Sequence, residues 1–230
     1  MRFWNGGIVR LCVAIVALSS VALAADDLAA VFARMDQAAP GFKGMRADIK
    51  KLAHTAVINE DSVDSGTIIV KVPKPHEFHM LIDLQQPDKK SVGINGTLVE
   101  MYYPKANEVQ VKNVGKGHKT EMEQFLRLGF GSNSKELQEG YTVTYGGPET
   151  VAGQKATRIV LVPKSADMLA MFPKFELWIS DATGISIQQK IYEQGGNYTV
   201  ATYPNMKLDP NVPDSAVKLN LPKGVIRRSL

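Results

Sequence analysis

The chain has 230 residues, enough for one domain or a tight pair. Its 27 basic residues against 23 acidic ones leave a formal net charge of +4, too small and too scattered for a nucleic-acid binder. An apolar content of 44% excludes a disordered chain, and a single cysteine, Cys12, excludes a disulfide scaffold, a thiol redox pair and a cysteine-based zinc site.

Residues 1–24 read as a cleavable secretory signal. Arg2 and Arg10 form a positive start, Leu11 to Val21 is an apolar run broken only by Ser19 and Ser20, and Ala22-Leu23-Ala24 is a small-x-small cleavage site. The run is shorter than the ~20 apolar residues that a bilayer-spanning helix needs. Leu11 precedes Cys12 where a lipoprotein signal needs a small residue. The expectation is therefore an exported, periplasmic chain, with 25–230 as one domain and no cysteine left in it.

The next segment, Asp26 to Ala38, carries Leu28, Val31, Phe32 and Met35 at helical spacing, and Pro40-Gly41 ends it. From about Met45 onward the period changes to two. Ile68, Val70 and Val72 alternate with Thr67, Ile69 and Lys71 before Pro73, and Phe78, Met80 and Ile82 alternate with His79, Leu81 and Asp83. Asn95-Gly96 joins Ser91–Ile94 to Thr97–Tyr103 as a tight hairpin. Val109 and Val111 follow. Further strands are expected at Tyr141–Tyr145, Ala156–Val162, Phe175–Ser180, Ile185–Glu193 and Asn197–Tyr203. Strands joined by short turns are antiparallel neighbours.

Two segments interrupt this pattern with helical spacing. Thr120 to Leu128 places Met122, Phe125 and Leu126 together, and Ser165 to Phe172 does the same with Met168, Leu169, Met171 and Phe172. The fold class is thus mainly β (α+β). It is a long, strongly curved antiparallel sheet, with an N-terminal helix and two short apolar helices against one side.

A sheet of this length must curl or close. The residues expected on its inner face are Ile68, Val70, Val72, Phe78, Met80, Ile82, Val99, Met101, Leu177 and Ile179, none of them charged. Periodicity leaves two arrangements open. These side chains fill the interior against the helices, or they line a hollow suited to alkyl chains, where each buried methylene contributes roughly 0.8 kcal/mol.

Catalytic constellations are not found. His76 and His79 fall on opposite faces of an extended segment and cannot share a metal. Gly115-Lys116-Gly117-His118-Lys119 lacks the spacing of a phosphate loop, Gly129-Phe130-Gly131-Ser132 has its serine in the wrong place for a nucleophile elbow, and Glu121 with Glu123 reads as a solvated face. No catalytic residue, metal ligand or cofactor is assigned.

Several short stretches share the order and spacing of a known family. They are Gly66-Thr67-Ile68-Ile69-Val70-Lys71-Val72-Pro73, the hairpin Ile94-Asn95-Gly96-Thr97-Leu98 running on to Tyr103-Pro104, Leu161-Val162-Pro163-Lys164, Phe175-Glu176-Leu177-Trp178-Ile179-Ser180 and Leu221-Pro222-Lys223-Gly224-Val225. From about Asp27 to Val225 the chain resembles the LolA-like family of periplasmic carriers for outer-membrane lipoproteins. The resemblance implies an unclosed β-barrel with lid helices over an apolar cavity and acylated lipoproteins as cargo. It further implies a monomer loaded by an ATP-driven inner-membrane exporter and unloaded to an outer-membrane acceptor. The inner-face residues above would line the cavity, and Met122, Phe125, Leu126, Met168, Leu169, Met171 and Phe172 would form the lid. One position departs from the family: where the carrier has a lid-binding arginine before the strand-ending proline, this chain has Val72. A lipid or glycolipid carrier on the same fold, and a periplasmic lipoprotein-sensing regulatory protein, are the alternative functions.

Overall fold

The computed structural model describes residues 27–74, 77–113 and 125–230. The expected signal segment and Met122 lie outside the described residues, as do His76, Gly115 to Lys119, Glu121 and Glu123.

A first helix, α1, spans 27–38, and a short 3-10 turn, Ala39–Gly41, leads out of it at Pro40. Six strands follow: β1 Gly44–Thr55, β2 Glu60–Lys74, β3 Glu77–Gln86, β4 Lys90–Asn95, β5 Leu98–Tyr103 and β6 Glu108–Asn113. Then come α2 (Ser134–Gly140), β7 (Tyr141–Val151), β8 (Gln154–Pro163), α3 (Ala166–Met171), β9 (Lys174–Ser180), β10 (Ser186–Tyr192) and β11 (Tyr198–Thr202). Two short strands close the chain, β12 (Lys207–Leu208) and β13 (Ile226–Ser229).

All strands belong to one sheet, in the order β13-β6-β5-β4-β3-β2-β1-β11-β10-β9-β8-β7, with β12 added beside the start of β1. The two halves of the chain meet where β1 pairs with β11, His54 opposite Tyr198 and Lys50 opposite Thr202. The two ends of the sheet, β13 and β7, do not pair with each other. The sheet is curled, as the sequence pattern implies, and unclosed, as the family resemblance implies.

Register sorts the side chains. Across β1 to β5, Met45, Val70, Met80, Ile94 and Val99 stand side by side, and two residues along Ala47, Ile68, Ile82, Val92 and Met101 do the same. Across β8 to β11 the equivalent rows are Ile159, Leu177, Gln189, Ala201 and Leu161, Phe175, Ile191, Thr199. Because strand side chains alternate, these rows share the concave face. α1 covers part of it. Val31 and Met35, each 1% exposed, pack against Ile159, Leu161, Phe175, Leu177 and Ile179. The end of α1 is fixed by Arg34, whose guanidinium donates to Asp181 and Thr157, both at 3.1 Å.

Two elements depart from the sequence reading. β13 pairs with β6 in parallel, Ile226 opposite Glu108, whereas every strand was expected to be antiparallel. The connection from β12 does not turn back as a hairpin. It runs through the 3-10 turn Asp214–Val217, which packs against β2 and β3, before reaching the far edge. The second is α2, whose only buried residue is Leu137, so it has no apolar stripe to detect. Its start is signalled by a cap instead: Asn133 accepts from the Glu136 backbone N–H at 2.8 Å.

Truncating the α1 anchor, Met35→Ala, is expected to destabilise the protein by about 2–5 kcal/mol. Breaking the half-exposed ion pair with Asp181→Asn is expected to cost no more than about 1 kcal/mol. Urea unfolding of the two variants checks the order; an equal loss in both contradicts apolar docking of α1 as its main anchor.

Candidate functional site

The concave rows do not close on one another everywhere. An apolar cavity of about 210 Å³ remains between the two halves of the sheet. Its floor is Ile68, Met80, Ile82 and Ile94 from β2 to β4, and its far wall is Phe175 and Leu177 of β9 with Ile191 of β10. Its roof is the segment after the undescribed stretch, through Phe125, Leu126, Leu128 and Phe130. The polar residues among its described lining are Gln189 and Lys190 of β10 and Tyr203. So predominantly apolar a lining favours hydrocarbon.

The roof begins with a helical turn at 125–127 and continues as a loop. Gly129 and Gly131 have φ of +77° and +76°, and Phe130 sits between them. Side chains fit neither position: a Cβ on Gly129 would lie 2.3 Å from the Ser186 Cβ, and one on Gly131 2.8 Å from the Phe42 ring. The two left-handed glycines let the backbone press against the sheet while Phe130, 1% exposed, points inward. There its ring meets Tyr203 edge-on, centroids 5.1 Å apart.

Few hydrogen bonds hold the roof to the sheet. The Gln189 amide donates to the Leu128 carbonyl at 2.5 Å, and the Ser186 backbone N–H donates to the Gly129 carbonyl at 2.9 Å. Tyr203 O–H donates to Gln189 Oε1 at 3.1 Å and so orients the amide. This polar latch comes from the sheet, although Val72 stands where the resembled carriers have arginine. Val72 itself lies outside the cavity, half-buried beside Phe42 in a separate cleft.

The two segments expected as a lid meet each other. Phe125 stacks on Phe172 at 5.5 Å, and both contact Phe175, at 6.0 and 5.7 Å. α3 is capped by Ser165, which accepts from the Met168 N–H. Met168 and Phe172 pack inward, whereas Leu169 and Met171 are 40% and 55% exposed and face solvent.

Of the inner-face residues proposed from sequence, Ile68, Met80, Ile82 and Leu177 line the cavity, and Phe125 and Leu126 roof it. Val70 and Phe78 are fully buried in the core beside it, and Ile179 is buried under α1. Val99 and Met101 are half-buried further along the same rows. Sequence reasoning did not single out Phe130, Gln189 or Tyr203. Gly-x-Gly around a phenylalanine was the available signal for the first. Gln189 breaks an apolar row, which periodicity registers only as noise. Among the described residues, no three His, Cys, Asp or Glu side chains gather to hold a metal. Nor is any described helix long and apolar enough to cross a membrane.

Burial raises the Tyr203 phenol above its ordinary value and pushes Tyr141 up to about 12. A phenol whose folded value lies above its unfolded value near 10 stabilises the fold below that pH. The contribution is lost as pH climbs from about 10 to 12 and beyond. Alkaline titration followed by tyrosinate absorbance is expected to show Tyr141 and Tyr203 among the last of the seven tyrosines to ionise, together with unfolding. Gln189→Leu is expected to weaken the roof by about 1–3 kcal/mol. Hydrogen exchange should then accelerate in 125–131 while the α1 amides keep their protection. Unchanged exchange in 125–131 means that Gln189 is not the latch.

Comparison with known proteins adds the fold. No family model matches the chain, and no curated protein matches it in sequence. Among solved structures, MucB aligns over 86% of this chain with 12% identity and a TM-score of 0.51. The alignment covers 63% of the MucB chain, so this chain spans less than two thirds of that protein. An uncharacterised conserved protein from Thermus thermophilus aligns over 87% of this chain and 97% of its own, with 13% identity and a TM-score of 0.51. A LolA superfamily protein from Nitrosomonas europaea aligns more loosely, over 82% of this chain and 96% of its own, with 10% identity and a TM-score of 0.40. At these identities the likeness is one of fold alone: an unclosed curled sheet with an N-terminal helix and a few short helices.

Proposed function

We propose that this chain is a periplasmic carrier that shelters the acyl chains of lipoproteins or lipids in the roofed apolar cavity and moves them from the inner to the outer membrane. Residues 1–24 serve as the cleaved export signal, and 25–230 form the carrier domain, acting as a monomer. No bond is made or broken on the protein. An ATP-driven exporter loads it and an outer-membrane acceptor unloads it, as the family resemblance implies.

The observation that supports this reading is the cavity itself: an apolar floor of Ile68, Met80 and Ile82 beneath a roof tied to the sheet by a handful of hydrogen bonds. At about 210 Å³ the space is below the ~300–1,000 Å³ of ordinary ligand sites, so a full acyl chain requires the roof to lift. The energies allow it. Burying ten methylenes contributes about 8 kcal/mol, more than the few kcal/mol of an accessible minor conformation. Phe125 and Phe130, which fill space rather than bond, are the groups a chain would displace.

Met80→Glu places a carboxylate in the cavity floor, and its burial opposes alkyl binding strongly. The exported protein is expected to lose at least about tenfold in affinity for a fluorescent alkyl probe such as dansylaminoundecanoate. Met101→Glu, two strands away and outside the cavity, is expected to bind the probe normally. Probe titration with circular dichroism as the folding control decides the matter. Full binding by a folded Met80→Glu protein overturns the cavity as the acyl site.

A further inference from the structure

The apolar cavity has a neighbour. A larger cleft of about 480 Å³ lies on the other side of Phe130, between the end of α1, the start of β1 and the loop leading into α2. Phe130 is a wall of both spaces. The linings differ in kind. The cleft brings Lys43, Arg127 and Lys135 together with Asp36 and Glu136, over an apolar base of Phe42 and Val72.

The charges in the cleft are not equally committed. Asp36 accepts from the Ser134 backbone N–H and hydroxyl, both at 2.7 Å. Glu136 pairs with Arg127 at 3.3 Å, and Arg127 also donates to the Gly131 carbonyl at 2.9 Å. Lys135 leans away toward Glu139 at 3.9 Å. The Lys43 ammonium has no hydrogen-bond or ion-pair partner among the described residues. The Arg127 Nε is buried and likewise unpartnered among them. Both carboxylates thus have partners within the protein, Asp36 only the neutral donors of Ser134, and the donors left without partners among the described residues are the Lys43 ammonium and the Arg127 Nε.

We infer that this cleft is a head-group site for an anionic amphiphile, an oxyanion-headed molecule whose alkyl tail enters the neighbouring cavity past Phe130. The inference rests on the acyl-carrier reading and deepens it by naming the class of cargo. Lys43 and the Arg127 guanidinium receive the phosphate or carboxylate, Phe42 and Val72 contact the first carbons, and Phe130 gives way to join the two spaces. The roof that covers the tail and the loop that borders the head are one continuous segment, 125–136. Occupancy of the cleft and opening of the cavity are therefore mechanically connected.

The test titrates the exported protein by calorimetry with dodecyl phosphate and dodecanoate below their micelle-forming concentrations, with dodecanol below its solubility limit, and with inorganic phosphate. The wild type is expected to bind the two anionic amphiphiles about tenfold more tightly than dodecanol, the worth of one charge-assisted contact, and this preference should shrink with salt. Lys43 is exposed, so Lys43→Glu leaves the fold intact; it is expected to abolish the preference while dodecanol binding stays unchanged. Lys89→Glu, the same charge change in the exposed turn before β4, is expected to keep the preference. Equal binding of dodecanol and the anionic amphiphiles, unaffected by Lys43→Glu, overturns the head-group site and leaves the acyl cavity standing. Absence of binding by every alkyl compound overturns the acyl cavity, and the head-group site with it. Tight binding of inorganic phosphate without alkyl binding overturns the link between the two spaces and leaves the cleft as a simple anion site.

Discussion

The molecule depends on covering the concave face of a sheet that does not close. A curled sheet built from period-two strands presents continuous apolar rows to its inside, and exposing them to water costs about 25 cal/mol for every Å². α1 covers one part of the face with Val31 and Met35. The 125–131 segment covers another with Phe125 and Phe130. The first cover is a long helix docked by buried side chains and an Arg34 clamp. The second is a loop held by Gln189, by one backbone hydrogen bond and by aromatic contacts. The two covers thus differ in how they are fastened, and the carrier proposal takes the first as scaffold and the second as the part that moves.

On the proposed carrier reading, that asymmetry removes any need for chemistry on the protein. An alkyl chain and the roof would compete for the same surface, and the hydrogen bonds through Gln189 and Tyr203 would set how much the chain must gain before the roof yields. The resembled carriers place an arginine near the strand-ending proline. Here Val72 stands at that position and points into the polar cleft, while the hydrogen bond to the roof comes from the middle of β10.

Much of this architecture is legible in the residues. The alternation through Ile68, Val70 and Val72, the Asn95-Gly96 hairpin and the Asp181 to Gly184 turn each specify a local geometry that tertiary packing has no reason to override. The rows that line the cavity follow from register, which those turns set. What escaped the sequence escaped for identifiable reasons. α2 has one apolar residue and so no stripe. β13 is short and charged, and its parallel pairing depends on a long connection rather than a turn. Phe130 reads as a loop residue until the sheet is seen beneath it. Gln189 is a polar residue in an apolar row, and its meaning lies in the Leu128 carbonyl, sixty-one positions away in the chain.

The most direct measurement is native mass spectrometry of the exported protein purified without detergent, followed by denaturation and identification of what is released. A carrier of this kind is expected to show an added mass that resolves on denaturation into acylated peptide or lipid, in close to one copy per chain. A preparation that is folded, homogeneous and free of any alkyl-bearing molecule, and that takes none up from added vesicles, would contradict the proposal that the roofed cavity exists to hold acyl chains.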